Sequence, residues 1–353
     1  MEYVLAIAGS PNRIDAQITK SDGTHVITDS FRGLHFRETV RPLLEHKIAT
    51  IVWRLCRTLN ISTTGFWNQC SMVSFAVSGT DERFDNTLLR GIFERIGFNR
   101  VNEYTLRIYG IAEAAYRASL LNKPGVLVRS GAGCSIYTSD KTGIGRLAAG
   151  FTTIMGAPGS SYMMGQEVLT IMMKSYDRIA SREEDEITAI ALSQTNDTTT
   201  IEFMERLIRY RDSGGDSDAL IAISNLANVL FSNELKNNNC ASKIIDSVAN
   251  HLYNAVCSLI NQTKLDDINF TIFYQGTLFE SHRAFAGRLH KKITGKYKKA
   301  KYIDINAKPI YYARVVGASL LGYCSNPNEI ASSSKARRLF ESLYCSPLVD
   351  SFC

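Results

Sequence analysis

Leu5-Ala6-Ile7-Ala8-Gly9-Ser10-Pro11-Asn12-Arg13-Ile14 runs from an apolar stretch, through a short loop of small and polar residues, back into an apolar stretch. Tyr3 to Ala8 predicts a strand, Ile14 to Thr19 a second one, and Ser21-Asp22-Gly23 the turn of a hairpin. The order is therefore strand, glycine-containing loop, strand. A Rossmann dinucleotide fold opens from strand into helix, so this beginning argues against one.

The same alternation continues downstream. Thr39 to Leu59 places Val40, Leu43, Leu44, Ile48, Ile51, Val52 and Leu55 at helical spacing. Met72 to Val77 predicts a strand, Thr87 to Ile96 a helix, Arg100 to Ile108 an extended segment and Ile111 to Leu121 a helix. Gly125 to Arg129 predicts a strand entering the loop Ser130-Gly131-Ala132-Gly133-Cys134, with Ile136 to Thr138 leaving it. A helix is expected over Glu167 to Ile179, then a charged break over Ser181 to Glu186. Asp212 to Asp218 is a glycine-rich loop. Helices are expected over Ala219 to Leu235, Ala241 to Ile260, Val315 to Tyr323 and Lys335 to Leu343, with a strand over Phe270 to Tyr274. Strands and helices alternating, with hairpin-like openings in both halves, predict a mixed-sheet α/β protein of two similar lobes.

The bulk composition is that of a soluble globular chain: 353 residues, 45% hydrophobic and 21% charged. That length fits two domains. The eight cysteines form no CxxC pair and have no histidine at zinc-ligand spacing, so they read as reduced thiols in a cytoplasmic protein. The apolar run Met1 to Ala8 is too short for a signal peptide, and no apolar stretch is long enough to span a membrane. The net charge of +6 is local. Arg283 to Lys301 holds eight Lys or Arg and no acid, and taking eight positive charges from +6 leaves −2 for the rest. The segment reads as a solvated helix face. An anion or nucleic-acid patch is the less favoured alternative, because only Tyr297 and Tyr302 interleave.

Four segments in order resemble the BadF/BadG/BcrA/BcrD ATPases and their relatives the N-acetylglucosamine kinases. They are the opening loop already quoted, Ser130-Gly131-Ala132-Gly133-Cys134-Ser135, Gly156-Ala157-Pro158-Gly159-Ser160-Ser161-Tyr162-Met163-Met164-Gly165, and the pair Phe273-Tyr274-Gln275-Gly276 with Gly317-Ala318-Ser319-Leu320-Leu321-Gly322. Ser78-Gly79-Thr80-Asp81 is a smaller match. The resemblance implies a two-lobed actin-like ATPase (ribonuclease H-like) fold, with a mixed sheet in each lobe around a central cleft. It further implies an N-terminal lobe over 1–108 and a C-terminal lobe over 109–353, the last helix being free to pack back on the first lobe. Homodimerisation is a third expectation.

In such a kinase two hairpin loops cradle the nucleotide phosphates through backbone N–H groups. The resemblance places that role on Gly9, Ser10, Asn12, Arg13, Gly131, Ala132, Gly133, Cys134 and Gly276. It places sugar contacts on Arg37, Ser78, Gly79, Asp81, Ala157, Gly159 and Ser160. Carboxylates then hold Mg²⁺ and take the proton of the attacking hydroxyl. Here the family's metal aspartate is Ala8, the base position after the extended segment is Gly110, and the acidic pair of the third motif is Ala157-Pro158. Pro11 has no N–H to offer a phosphate. Glu113, Asp81 and Asp15 are the remaining acids that a migrated site would use; Asp15 lies seven residues past Ala8. Cys134 reads as a stand-in for the loop's serine, and Met155, Met163, Met164, Met172 and Met173 as core.

Two readings stay open beside that of a nucleotide-dependent switch that binds ATP without turning it over. One is a pseudokinase that keeps the fold as a binding or scaffold module, with no catalytic residue, no metal, and weak nucleotide affinity that Mg²⁺ does not improve. The other is an active ATP- and Mg²⁺-dependent N-acetylhexosamine kinase with rearranged acids. An amino sugar or a nucleotide is the ligand class either implies.

Overall fold

The computed structural model describes residues 2–10, 13–37, 39–80, 82–102, 104–120, 123–140, 143–150, 157–212, 216–302, 313–324 and 329–344. In chain order these form β1 (Tyr3–Gly9), β2 (Arg13–Lys20), β3 (His25–Arg32), α1 (Arg41–Thr58), α2 (Thr63–Gln69), β4 (Cys70–Val77), α3 (Glu82–Arg95), β5 (Leu106–Ile108) and α4 (Ile111–Leu120). Next come β6 (Gly125–Ser130), β7 (Cys134–Ser139), β8 (Gly145–Ala149), α5 (Ser161–Tyr176), α6 (Arg182–Thr195), α7 (Thr200–Asp212), α8 (Asp216–Asn225) and α9 (Asn239–Thr263). The last are β9 (Phe270–Gln275), α10 (Thr277–Ser281), α11 (Arg283–Lys296), β10 (Ala300–Tyr302), α12 (Ala313–Gly322) and α13 (Ser334–Tyr344). No helix among the described residues is long and apolar enough to cross a membrane.

The chain divides into two compact units: Met1–Gly125 with Ser139–Gly145 and Pro309–Cys353, and Val126–Thr138 with Arg146–Lys308. Each contains a five-stranded sheet, ordered β3-β2-β1-β4-β5 in the first and β10-β9-β6-β7-β8 in the second. The first sheet is mixed: β1 runs antiparallel to β2 and parallel to β4, and β5 is parallel to β4.

Alternation along β1 sorts its two faces. Leu5 and Ile7 enter a core with α1 and the aromatic group Phe66, Trp67, Phe75, Phe93 and Phe98. Ala6 and Ala8 enter a second core with Ala76, Ala114, Ala118 and the α12 residues Val315, Val316, Ala318, Leu320 and Leu321. The alanines are small because α12 comes close: a Cβ on Gly322 would stand 3.2 Å from Val4 Cγ1. The same helix meets α4 at Gly317, where a Cβ would fall 1.6 Å from the Ala114 carbonyl oxygen. The late glycine motif is thus an approach of backbones. In the second unit Met164 and Met172 are fully buried in the core, with Met163 against it, as their spacing suggests.

Several segments differ from expectation; the extended segment expected over Arg100 to Ile108, for one, is a strand only over Leu106–Ile108. Ser181 to Glu186 is the start of α6, not a break: the Ser181 side chain accepts from the Glu184 N–H, and the Glu184 carboxylate accepts from the Ser181 N–H. This capping box was present in the sequence as S-x-x-E. The helix expected over Ala219 to Leu235 stops at Asn225 and continues as 3₁₀ turns over Leu226–Phe231.

Candidate functional site

In the first unit four backbone turns gather at the carboxyl ends of the parallel strands β1, β4 and β5, where open α/β sheets carry their ligands. Ser10 and Arg13 exchange backbone hydrogen bonds of 2.8 and 3.2 Å across the two-residue hairpin loop. A Cβ on Gly9 would sit 2.6 Å from the Ile14 side chain, so the turn demands glycine. Leu34 N–H donates to Ser10 O, Ser78 N–H to Gly9 O, and Phe36 N–H to Ser78 O. The Thr80 hydroxyl donates to the Val77 and Tyr109 carbonyls at 2.7 and 3.0 Å. Gly79 holds a φ of +85° against the His35 ring. Pro11, Asn12 and Asp81 lie outside the described residues.

The acidic positions can now be placed. Ala8 is fully buried and pairs directly with Asp15 across β1–β2, so the two side chains emerge on one face. Asp15 therefore needs no re-aiming to reach the vacated position, which corrects the objection drawn from its distance in sequence. It is, however, already committed. Asp15 has 0% exposure; Oδ1 accepts from Arg13 Nε and the Ser30 hydroxyl at 2.7 Å each, and Oδ2 accepts from Arg314 Nη2 at 3.2 Å. Arg314, in the first turn of α12, is only 13% exposed. Sequence reading gave no sign of it, since 299 residues separate it from Asp15.

The other polar residues on this face of β2 are used in the same way. The Ser319 hydroxyl donates to Gln17 Oε1 at 2.6 Å, and Thr19 shares a hydrogen bond with Tyr323. Asp15, Gln17 and Thr19, two residues apart on a strand, thus meet Arg314, Ser319 and Tyr323 about one helical turn apart.

Gly110 stands at the end of β5, where its carbonyl accepts the Ala114 N–H and so caps α4. A Cβ there meets nothing within 4 Å. The missing base is thus not a steric requirement, and aspartate is a favoured helix cap. Gly110→Asp is expected to change unfolding free energy by less than about 0.5 kcal/mol, because glycine and aspartate caps differ by only a few tenths. Chemical denaturation checks this, and a loss well above that figure would show that the backbone here is constrained. Glu113, one turn on, pairs with the buried Arg117 at 3.3 Å. Arg37 is paired too, with Asp85 of α3 at 2.9 Å, a buried carboxylate that sequence reading did not single out.

The second unit gathers the other motifs. Gly131, Ala132 and Gly133 form the three-residue loop between β6 and β7, closed by Gly131 N–H to Gly133 O at 2.9 Å. Ser130 Oγ donates to Gly159 O at 2.6 Å, and Ser161 N–H to Gly131 O at 2.8 Å. Gly276 takes a φ of +111°, and a Cβ there would lie 2.3 Å from the Ser130 carbonyl oxygen. Ser160 caps α5 through its hydroxyl, accepting from Met163 N–H at 3.1 Å. Ala157 holds a positive φ of +40°, a region that costs a β-carbon about 1 kcal/mol and that aspartate or asparagine visits more readily. Cys134 is packed beneath this loop, and burial pushes its thiol up to about 12, so it stays protonated and inert at neutral pH. The structure thus brings Gly131, Ala132, Gly133, Cys134, Gly159, Ser160 and Gly276 together within the second unit, and Gly9, Ser10, Arg13, Ser78 and Gly79 within the first.

A kinase of this kind uses Mg²⁺, and the described residues do not fit one. A cation beside Ala8 would have to displace two guanidinium groups from Asp15. Among the described residues no group of three or more His, Cys, Asp or Glu is placed to hold a metal ion. The eight cationic residues of Arg283 to Lys301 lie exposed along α11, the following turn and β10.

Over 324 residues, 90% of this chain and 99% of the relative, the chain is 21% identical to the N-acetylmuramic acid/N-acetylglucosamine kinase of Clostridium acetobutylicum. Over 251 residues, 70% of this chain and 74% of the relative, it is 23% identical to the N-acetyl-D-glucosamine kinase of Dictyostelium discoideum. The crystal structure of a Chromobacterium violaceum protein, provisionally named an N-acetylglucosamine kinase, superposes with a TM-score of 0.60 at 15% identity, over 91% of this chain and 99% of the other. A ROK family glucokinase from Streptomyces griseus, solved with glucose and AMPPNP, superposes with a TM-score of 0.50 at 11% identity, over 90% and 98%. The mixed α/β architecture is that of the two-lobed sugar kinases with the actin-like ATPase fold. The family model describing BadF/BadG/BcrA/BcrD ATPases matches residues 41–322, most of the chain, and this N-acetylglucosamine-kinase-like protein belongs to the BadF/BadG/BcrA/BcrD ATPase family.

Proposed function

We propose that this family member is a pseudokinase: a sugar-kinase fold kept as a binding module that no longer transfers phosphate. The observation that carries the reading is the state of Asp15. Among the described residues it is the acid that stands beside the vacated metal position, and Arg13, Ser30 and Arg314 already engage both its oxygens. With Gly110 at the base position, nothing there accepts the proton of an attacking hydroxyl, a contribution worth on the order of 100- to 10,000-fold. Ala157 and Pro158 remove the acids of the third motif as well.

The loop glycines that shape both phosphate hairpins remain. A hexosamine or a nucleotide is therefore the class of ligand to be retained, as the names of the curated relatives also suggest. The second reading, an active kinase with migrated acids, would use Asp15, Glu113 or Asp81, the last of which lies outside the described residues. Asp15 is held by guanidinium groups and Glu113 by Arg117. Steady-state assays with Mg-ATP and a panel of N-acetylhexosamines, glucose and N-acetylmuramic acid test the proposal. No sugar phosphate above a protein-free control is expected, and its formation in proportion to protein would refute the reading.

A further inference from the structure

We propose that the surface formed by α11, the turn after it and β10 binds the phosphate backbone of B-form duplex DNA, without regard to base sequence. The surface lies within the second unit and uses none of the motif loops, so the inference is independent of the catalytic reading.

One side of α11 is buried and the other is left to its cations. Phe285, Ala286, Leu289 and Ile293 enter the core of the second unit. Arg283, Arg288, Lys291, Lys292 and Lys296 are exposed on the helix, and Lys298, Lys299 and Lys301 on the turn and the edge strand β10 that follow. At 1.5 Å per residue the helix alone carries this charge along about 20 Å. Among the described residues no ion pair reaches any of the eight. Arg95, Arg206, Arg209 and Arg337, on other helices, each meet a carboxylate. What the eight do touch is neutral. Lys292 donates to Asn250 Oδ1 and lies 4.7 Å from the Tyr253 ring centre, Lys296 lies 5.2 Å from that of Tyr297, and Lys299 donates to the Asp267 backbone carbonyl at 2.8 Å. The acids on the neighbouring elements are Asp246 of α9, Asp266 and Asp267 before β9, and Glu280 of α10, and Lys243 and Lys264 offset two of them. The patch therefore stays strongly positive.

The make-up of the surface selects the partner. Lysine is depleted at protein–protein interfaces, whose affinity rests on buried aromatic and aliphatic anchors. A helix that lies on a membrane turns its apolar face into the lipid. Here that face is in the core, and no large hydrophobic side chain is exposed among the described residues from 283 to 301. Single strands bind by stacking bases on aromatic rings, and Phe285 and Tyr297 are buried. The thin interleaving of aromatics counts against a single strand but not against a duplex, whose backbone is held by Lys and Arg. The rest of the exposed helix face is small: Ala284, Gly287 and Gly295, where a Cβ on either glycine would meet nothing within 4 Å. A low helix flanked by cations fits the major groove of B-DNA, roughly 12 Å wide, whereas the A-form RNA groove is too narrow to admit it.

The test titrates the full chain into a fluorescently labelled DNA duplex of about 20 base pairs, read by anisotropy over a series of salt concentrations. An RNA duplex of the same length, a DNA single strand and phosphatidylserine-containing vesicles serve as competitors. Two unrelated duplex sequences are expected to bind equally, at about micromolar affinity in low salt, with log K falling against log salt at a slope of about −4. Lys291→Gln/Lys296→Gln/Lys298→Gln is expected to weaken binding at least about tenfold and to flatten the slope by about 3. Should that protein not fold, Arg288→Gln/Lys301→Gln is expected to weaken binding severalfold and to flatten the slope by about 2. Arg209→Gln/Arg211→Gln/Arg337→Gln removes three cations that are paired elsewhere and is expected to change neither quantity. No duplex binding, a slope near zero, equal losses in the two triple variants, or tighter binding to the RNA duplex, the single strand or the vesicles would each overturn the proposal.

Discussion

Gly317→Ala is expected to destabilise the first unit by about 3 kcal/mol or more, lowering its Tm by on the order of 10 °C. The added carbon would stand 1.6 Å from the Ala114 carbonyl oxygen and 2.4 Å from its carbon, both backbone atoms of α4. No side-chain rotation relieves such a clash, so α12 and α4 must part. Their separation would open the core formed by Ala6, Ala8, Ala76, Ala114 and Ala118. Gly165→Ala makes the equivalent contact in the second unit, 1.8 Å from the Ile223 carbonyl oxygen, and is expected to behave alike. Gly287, inside α11 with nothing within 4 Å, is the control. There alanine should raise stability by about 1 kcal/mol through helix propensity alone. Thermal unfolding of the three variants checks the set. A Gly317→Ala protein as stable as wild type would show that the helices are not in backbone contact.

Asp15→Ala is expected to cost about 3–5 kcal/mol, the penalty for removing one partner from a buried charged cluster. The loss is large because the variant takes one buried acceptor from Arg13, Ser30 and Arg314 at once. Inorganic phosphate or tripolyphosphate should restore part of the stability by supplying the missing negative charge, since a ligand of the folded state stabilises it by mass action. Denaturant unfolding with and without the anion measures both effects. A change under about 1 kcal/mol would mean the cluster is solvated and behaves as an ordinary surface pair.

Much of the fold was legible because it rests on local rules. The helix over Thr39 to Leu59 and the strand over Met72 to Val77 appear within two residues of expectation, as their apolar spacing required. The loop glycines were legible for the same reason: Gly9 and Gly276 sit where any side chain would strike the chain itself. The S-x-x-E box that starts α6 was equally readable but was taken as a charged break. The absence of acids at Ala8, Gly110 and Ala157 is plain in the sequence.

What replaced them is not. Asp15 was discounted for being seven residues from Ala8, yet a two-residue hairpin loop makes them cross-strand partners. Arg314 and Asp85 had no local signal, since each acts on a residue tens to hundreds of positions away. Such pairings are set by topology, which periodicity along the chain does not encode.

The most direct test of the central claim is a single-turnover experiment with protein in excess over γ-labelled ATP, in the presence of Mg²⁺ and N-acetylglucosamine. Excess protein reveals even one slow transfer per chain, which steady-state assays miss. The predicted result is labelled sugar phosphate no faster than in the protein-free control. Label appearing in the sugar in proportion to protein, and lost in Asp15→Asn or Glu113→Gln variants that still fold, would contradict the account. It would show that the carboxylates of this family had moved within the fold while their chemistry was kept.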